Sequence, residues 1–181
     1  MTNITESIEY LMVEAFYGAR EAERSRVKLI NHINEGLVVL NCINATNEAR
    51  RAFCLHPILQ DDRDLRENYG AVKNTIDGAV MCLAMEYRST ANNYLRERVH
   101  ESPLPEIKLS PLWEVNDMLI ADKVQNRKDF LTYHKDTHPN RNELGIYFSR
   151  WLDKLGITEK KYSQLCAEID VYKLSLQQKE S

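Results

Sequence analysis

Three side chains in the 181-residue chain are of types that could share one metal ion: His32 in LINHINEG, His56 in AFCLHPILQDDRDL and Asp122 in MLIADKVQNRKDF. Each sits among apolar neighbours, within or at the end of a segment with helical spacing. Two imidazoles and one carboxylate make an open ligand set that Mn, Fe or Zn accepts. The remaining coordination positions let such an ion polarise a phosphoryl oxygen and activate a water. Taken singly, a histidine beside a helix is more often a hydrogen-bonded core residue, and a buried aspartate more often a cap or an ion-pair partner. The order and spacing of the three, 24 and then 66 residues apart, are what raise them above that background.

The elements that must carry these groups read as helices throughout. Apolar residues Ile8, Leu11, Met12, Ala15, Phe16 and Ala19 recur at three and four, predicting a first helix over 5–26. A second is expected over 29–42. Asn44 or Thr46 can cap a third that carries Ala49, Ala52, Phe53 and Leu55 toward His56. QDDRDL then reads as a loop or short turn. A fourth helix is expected over 69–95, with Val72, Ile76, Val80, Leu83, Ala84 and Tyr87 inward. Pro103, Pro105 and Pro111 mark a loop over 97–110. A fifth helix holds 112–134, THPNRN breaks it, and a sixth over 143–155 ends at Gly156. The last begins at Thr158 with a stripe of Tyr162, Leu165, Ile169, Tyr172 and Leu176, which packs on the parent domain or serves as a homo-oligomer seam. The fold class expected is all-α, in one domain spanning 1–181.

Composition narrows the classes further. Apolar content of 43% and charged content of 28% suit a folded globular chain. A net charge of -3 gives no general attraction to nucleic acid. Cys42, Cys54, Cys82 and Cys166 lie far apart with no C-x-x-C pair, which suits a reducing compartment. The polar, acidic start MTNITESIEY has no signal-peptide pattern, and no apolar run reaches the roughly 18 residues of a membrane helix. The expectation is a cytoplasmic protein without nucleic-acid or membrane partners. P-loop, Rossmann, serine-hydrolase and zincin patterns do not occur.

The segments around the three candidate ligands resemble a family. AFCLHPILQDDRDL is similar to the L-L-H-D-x-x-E-D-T motif of HD-domain hydrolases of the RelA/SpoT and small alarmone hydrolase type. IADKVQN resembles their L-A-D-K/R-x-x-N motif, and KLINHI their Y-I-x-H-P segment. The likeness covers 12–135, with C-terminal helices over 142–178 beyond it, and it implies an HD-domain-like helical bundle. It also implies that His32, His56 and Asp122 ligate a divalent metal (Mn, Fe or Zn). Asn126, one turn after Asp122, would touch the nucleotide, and Arg24 or Arg26 would face a guanine base. Lys123, Arg127 and Lys128 add positive charge nearby, although a solvated helix face is the plainer role for them.

Two positions depart from that pattern. Pro57 stands where the family has the aspartate after its second histidine. Gln60-Asp61 stands where the family has the Glu-Asp pair that handles the attacking water. An amide orients water but does not take its proton, so Asp61 or Asp62 would have to substitute. The resemblance therefore implies a purine nucleotide or other phosphorylated small molecule as ligand, of alarmone type, with weakened or lost pyrophosphohydrolysis. The alternative is a catalytically dead HD-like pseudo-enzyme acting as a protein–protein interaction module. Two further groups are weaker candidates. His134 and His138, at i and i+4, are better read as marking a helix end, and Glu86 and Arg88 as exposed residues flanking a core Tyr87.

Overall fold

Side-chain caps fix where several helices begin. Ser7 accepts the amide of Tyr10 at 3.2 Å and opens α1, Ile8–Tyr17. Thr46 accepts that of Ala49 at 3.1 Å and opens α3, Asn47–Leu59, which follows α2, Ile30–Cys42. Asp61 accepts from Arg63 at 2.7 Å and opens α4, Asp62–Lys73. Thr158 accepts from Lys161 at 3.2 Å and opens α8, Glu159–Gln177. Each cap satisfies an amide that the first turn leaves without a helical partner. Between α4 and α8 lie α5 (Gly78–Glu97), α6 (Trp113–Asp129) and α7 (Arg141–Lys154). The computed structural model describes residues 3–23, 25–97 and 105–178. Among these the architecture is all-α, and the one strand-like pairing is an isolated antiparallel bridge between Glu21 and Lys28.

Three expectations need correction. The first helix stops at Tyr17 instead of running to 26, because Gly18 takes a φ of 54° that a right-handed helix does not continue. The chain then folds back, with Ala22 donating to the Val27 carbonyl at 2.8 Å and Leu29 to that of Arg20 at 2.9 Å. QDDRDL is not a loop: with Asp61 as cap and Asp62 and Asp64 in the first turn, it nucleates α4. The helix expected over 69–95 is accordingly two, parted at 74–77, where Asp77 accepts the amide of Ala79. The loop expected over 97–110 falls partly on 98–104, outside the described residues.

Other expectations hold. The segment expected over 112–134 is helical from Trp113, although its last five residues, Phe130–His134, widen into a π turn. Gly156, at φ 73°, ends α7 with Ile157 donating to Leu152 and Gly156 to Asp153, a pairing that satisfies two terminal carbonyls.

Contacts between Cα atoms divide the chain into two compact units. The first comprises Met1–Gly18 and Ala45–Leu119; in it α3 packs against α1, α4 and α5. Phe53, Leu55, Leu59, Ala84 and Tyr87 are fully buried there, each large side chain contributing about 1.5–3 kcal/mol. The second comprises Ala19–Asn44 and Ile120–Ser181, with α2 packed on α8. Ile33, Leu40, Trp151, Leu165 and Ile169 are its deepest apolar residues. It also buries Glu35, Asp122, Lys123 and Gln125, an unusual polar load that must be paired internally. No helix is long and apolar enough to cross a membrane among the described residues.

Candidate functional site

In the first unit His56 owes its orientation to the residue after it. Pro57 lies inside α3 and has no N–H, so the carbonyl four residues back, Phe53, loses its helical donor. His56 Nδ1 lies 2.6 Å from that oxygen. A carbonyl only accepts, so Nδ1 carries the proton and Nε2 holds the lone pair of the neutral ring. The imidazole is 3% exposed, with the Phe53 and Tyr87 rings 4.6 and 5.0 Å away between centroids. Pro57, which the sequence marked as a lost carboxylate, thus supplies the acceptor that turns its neighbour.

In the second unit His32 sits in the first turn of α2. Its Nδ1 is 2.7 Å from Gln125 Oε1, and its Nε2 is 3.5 Å from Asp122 Oδ1. Asp122 also accepts from Asn126 Nδ2 at 2.8 Å and from Lys123 Nζ at 2.6 Å. His32 and Asp122 belong to a His/Asp group that could hold a metal ion.

Behind this pair is a layer of buried charge. Gln125 Nε2 donates to Asp129 Oδ2 at 2.7 Å and to Glu35 Oε2 at 3.3 Å. Lys128 donates to Glu35 at 2.8 Å, and Lys173 approaches it at 3.4 Å. No role was expected of Gln125 or Glu35 from the sequence. A signal existed: Glu35 lies three residues after His32, and Gln125 three after Asp122, so each shares a helix face with a candidate ligand.

Lys123 and Lys128 do not form a solvated face; both are buried. Lys123 lies 5.4 and 5.2 Å from the centroids of the Tyr147 and Trp151 rings, a cation–π setting. Burial works against its charge, but Asp122 and Tyr147 outweigh that and raise its pKa above the ordinary lysine value. Arg127 pairs with Glu159 at 2.8 Å and lies over the Tyr162 ring.

The residues expected to handle water and nucleotide are placed as follows. Gln60 closes α3, its backbone carbonyl accepting from Asn92. The exposed Asp61 is committed to capping α4, and hydrogen bonds from backbone amides, that of Arg63 first, hold its pKa below the usual carboxylate value. Asp62 pairs with Arg88. Asn126 holds Asp122. Arg26 is exposed at φ 58° in the loop before α2, and Arg24 lies outside the described residues.

The weaker candidates fall out differently. Tyr87 is in the core as expected, while Glu86 is half-buried and accepts from Ser110 Oγ at 2.7 Å. His134 and His138 lie where α6 ends, and His138 Nδ1 accepts the amide of Asn140, a turn-stabilising contact. Comparison of the chain with protein-family models, curated proteins and solved structures found no match.

Proposed function

We propose that the chain binds a phosphorylated small molecule, a purine nucleotide of alarmone type, through a divalent metal, with hydrolysis weakened or lost. The observation that carries this reading is the His32–Asp122 pair. With Nδ1 donating to Gln125, the neutral form of the His32 ring turns a lone pair at Nε2 toward the carboxylate oxygen 3.5 Å away. Two acceptors so placed suit a cation better than each other. Ligand atoms about 2.1 Å from one ion stand about 3.4 Å apart at the tetrahedral angle. The donor chemistry therefore fits an ion of the Mn, Fe or Zn class, and the sequence resemblance adds His56 as third ligand. When bound, such an ion supplies polarisation of a phosphoryl oxygen.

The chain's own residues account for the weakened chemistry. Asn126 steadies the Asp122 carboxylate. The Gln60 amide has no basicity near neutral pH, and Asp61 is a poor base because its backbone hydrogen bonds favour the ionised form. The test is metal content and calorimetric Zn(II) or Mn(II) titration of wild type, His32→Ala and His56→Ala, with thermal-shift screening of nucleotides in the presence of metal. Near-stoichiometric metal lost in both variants, with a nucleotide that raises Tm, supports the reading. Metal-free protein indifferent to nucleotides sinks it.

A second reading rests on α8, where Val171, Leu174 and Leu176 are 62%, 59% and 40% exposed. On that reading the last helix docks a partner protein or a second copy of the chain. Light scattering of wild type and of Val171→Glu/Leu174→Glu separates self-association from a monomer.

A further inference from the structure

We infer that Gln125 is a positioning residue that sets the tautomer of His32 through a relay running from carboxylate to amide to imidazole. The inference rests on the metal reading of His32 but uses only groups of the second unit. Its starting point is the orientation of the Gln125 amide. Glu35 and Asp129 offer carboxylate oxygens, which only accept, at 3.3 and 2.7 Å from Nε2. The amide nitrogen must therefore face them, and Oε1 must face His32, 2.7 Å from Nδ1.

With the amide so fixed, Nδ1 of His32 has to be the donor. Nε2 is then the nitrogen whose lone pair points to Asp122. The opposite tautomer would set a lone pair at Nδ1 against the amide oxygen and a proton at Nε2, where a cation is to be held. Histidines that ligate metals commonly donate their other N–H to an oxygen that fixes the ring. Here the oxygen belongs to an amide, itself anchored by two buried or part-buried carboxylates. Lys128 and Lys173 pair with Glu35, so its carboxylate is not left as an unpaired anion. Gln125 is 1% exposed, which leaves little room for the amide to turn over.

The experiment is long-range 15N–1H NMR of the His32 ring in metal-free protein at pH 8.5, well above the ordinary imidazole pKa of about 6.5. Wild type is expected to carry the proton on Nδ1. Gln125→Met keeps the volume but removes the acceptor, so the proton moves wholly or partly to Nε2 and Zn(II) affinity falls about 10–100-fold. Gln125→Glu, which keeps an acceptor oxygen at the expense of its contacts to Glu35 and Asp129, retains the Nδ1 proton. A wild-type ring protonated at Nε2, or a Gln125→Met ring identical to wild type, overturns the inference. The wild-type spectrum needs no variant, so a Gln125→Met protein that fails to fold leaves that test intact. Wild type with its proton on Nδ1 but no affinity for Zn(II) would refute the metal reading while upholding the role of Gln125.

Discussion

The surroundings of His56 and those of His32 solve one problem by opposite means. Against His56 lie the Phe53 and Tyr87 rings, and its Nδ1 meets the backbone of its own helix, three residues away. Around His32 the holding group is a side chain 93 residues distant in sequence, kept in place by a partly buried network of Glu35, Lys128, Asp129 and Lys173. A local device depends on one proline and on packing. A long-range device depends on every charge in it being paired, because each unpaired group costs its full desolvation. The first should therefore fail through lost volume and the second through lost charge.

The largest effect is expected from Asp122→Ala, which leaves the Lys123 cation buried without its carboxylate and should cost about 3–5 kcal/mol. Asp122→Ala/Lys123→Met should recover much of that, as a double-mutant cycle in urea would show. The pKa of Lys123 is raised in the fold, so its stabilisation is fully present below the unfolded value of about 10.4 and is lost only as pH rises through the folded one. Wild-type stability should thus not vary through Lys123 from about pH 7 to 9, whereas in Asp122→Ala the buried, unpaired amine sheds its proton more readily and the penalty should shrink as pH rises. Phe53→Ala, on the other side of the comparison, should cost a similar 3–5 kcal/mol or so through a cavity, with no recovery from any charge change. Recovery of stability in a charge-swapped Phe53 variant would break the contrast.

Smaller effects sharpen it. Glu35→Leu should cost about 1–3 kcal/mol, because Lys128 keeps Asp129 as a partner. Pro57→Ala should raise Tm, since a helix-interior proline costs about 3 kcal/mol and alanine restores an N–H for the Phe53 carbonyl. The same change gives His56 Nδ1 a competitor for that carbonyl, so metal affinity should fall while stability climbs. A variant that gains both would show that the backbone does not orient this ring.

The smallest effect concerns Asp117, whose carboxyl is pushed up to about 6 by burial and by the neighbouring Glu114. A carboxyl raised in the fold favours the folded state below the unfolded value of about 3.9, and that advantage is lost as pH climbs through about 6. Asp117→Asn should therefore raise stability at pH 7.5, by at most about 1 kcal/mol after solvent screening and with a matching rise in Tm, and leave it unchanged at pH 4. Thermal melts at the two values check this.

The helices were legible in the sequence because their causes are local. Apolar residues recurring at three and four, the caps at Thr46 and Thr158 and the glycine after α7 act within a few residues of themselves. Misread elements came from local rules in competition. Helical spacing ran through Gly18, and an acidic stretch that looked like a loop became the capped start of α4. His32, His56 and Asp122 were recognisable as ligand types, yet nothing local told how each would be held. The residue types also left Lys123 and Lys128 looking like ordinary surface cations.

What the sequence by itself determined is the all-helical class, helix starts such as those at Thr46 and Thr158, and the identity of the side chains able to bind a cation. Tertiary structure alone decided that Gln125 meets His32, that Glu35 meets Lys128 and Lys173, and that Lys123 is buried against aromatic rings. The physical reason is range. Helix periodicity and capping are interactions over three or four residues, whereas the burial and pairing of charge join separate helices, 93 residues apart for His32 with Gln125 and for Glu35 with Lys128, and no local pattern encodes which partner will arrive.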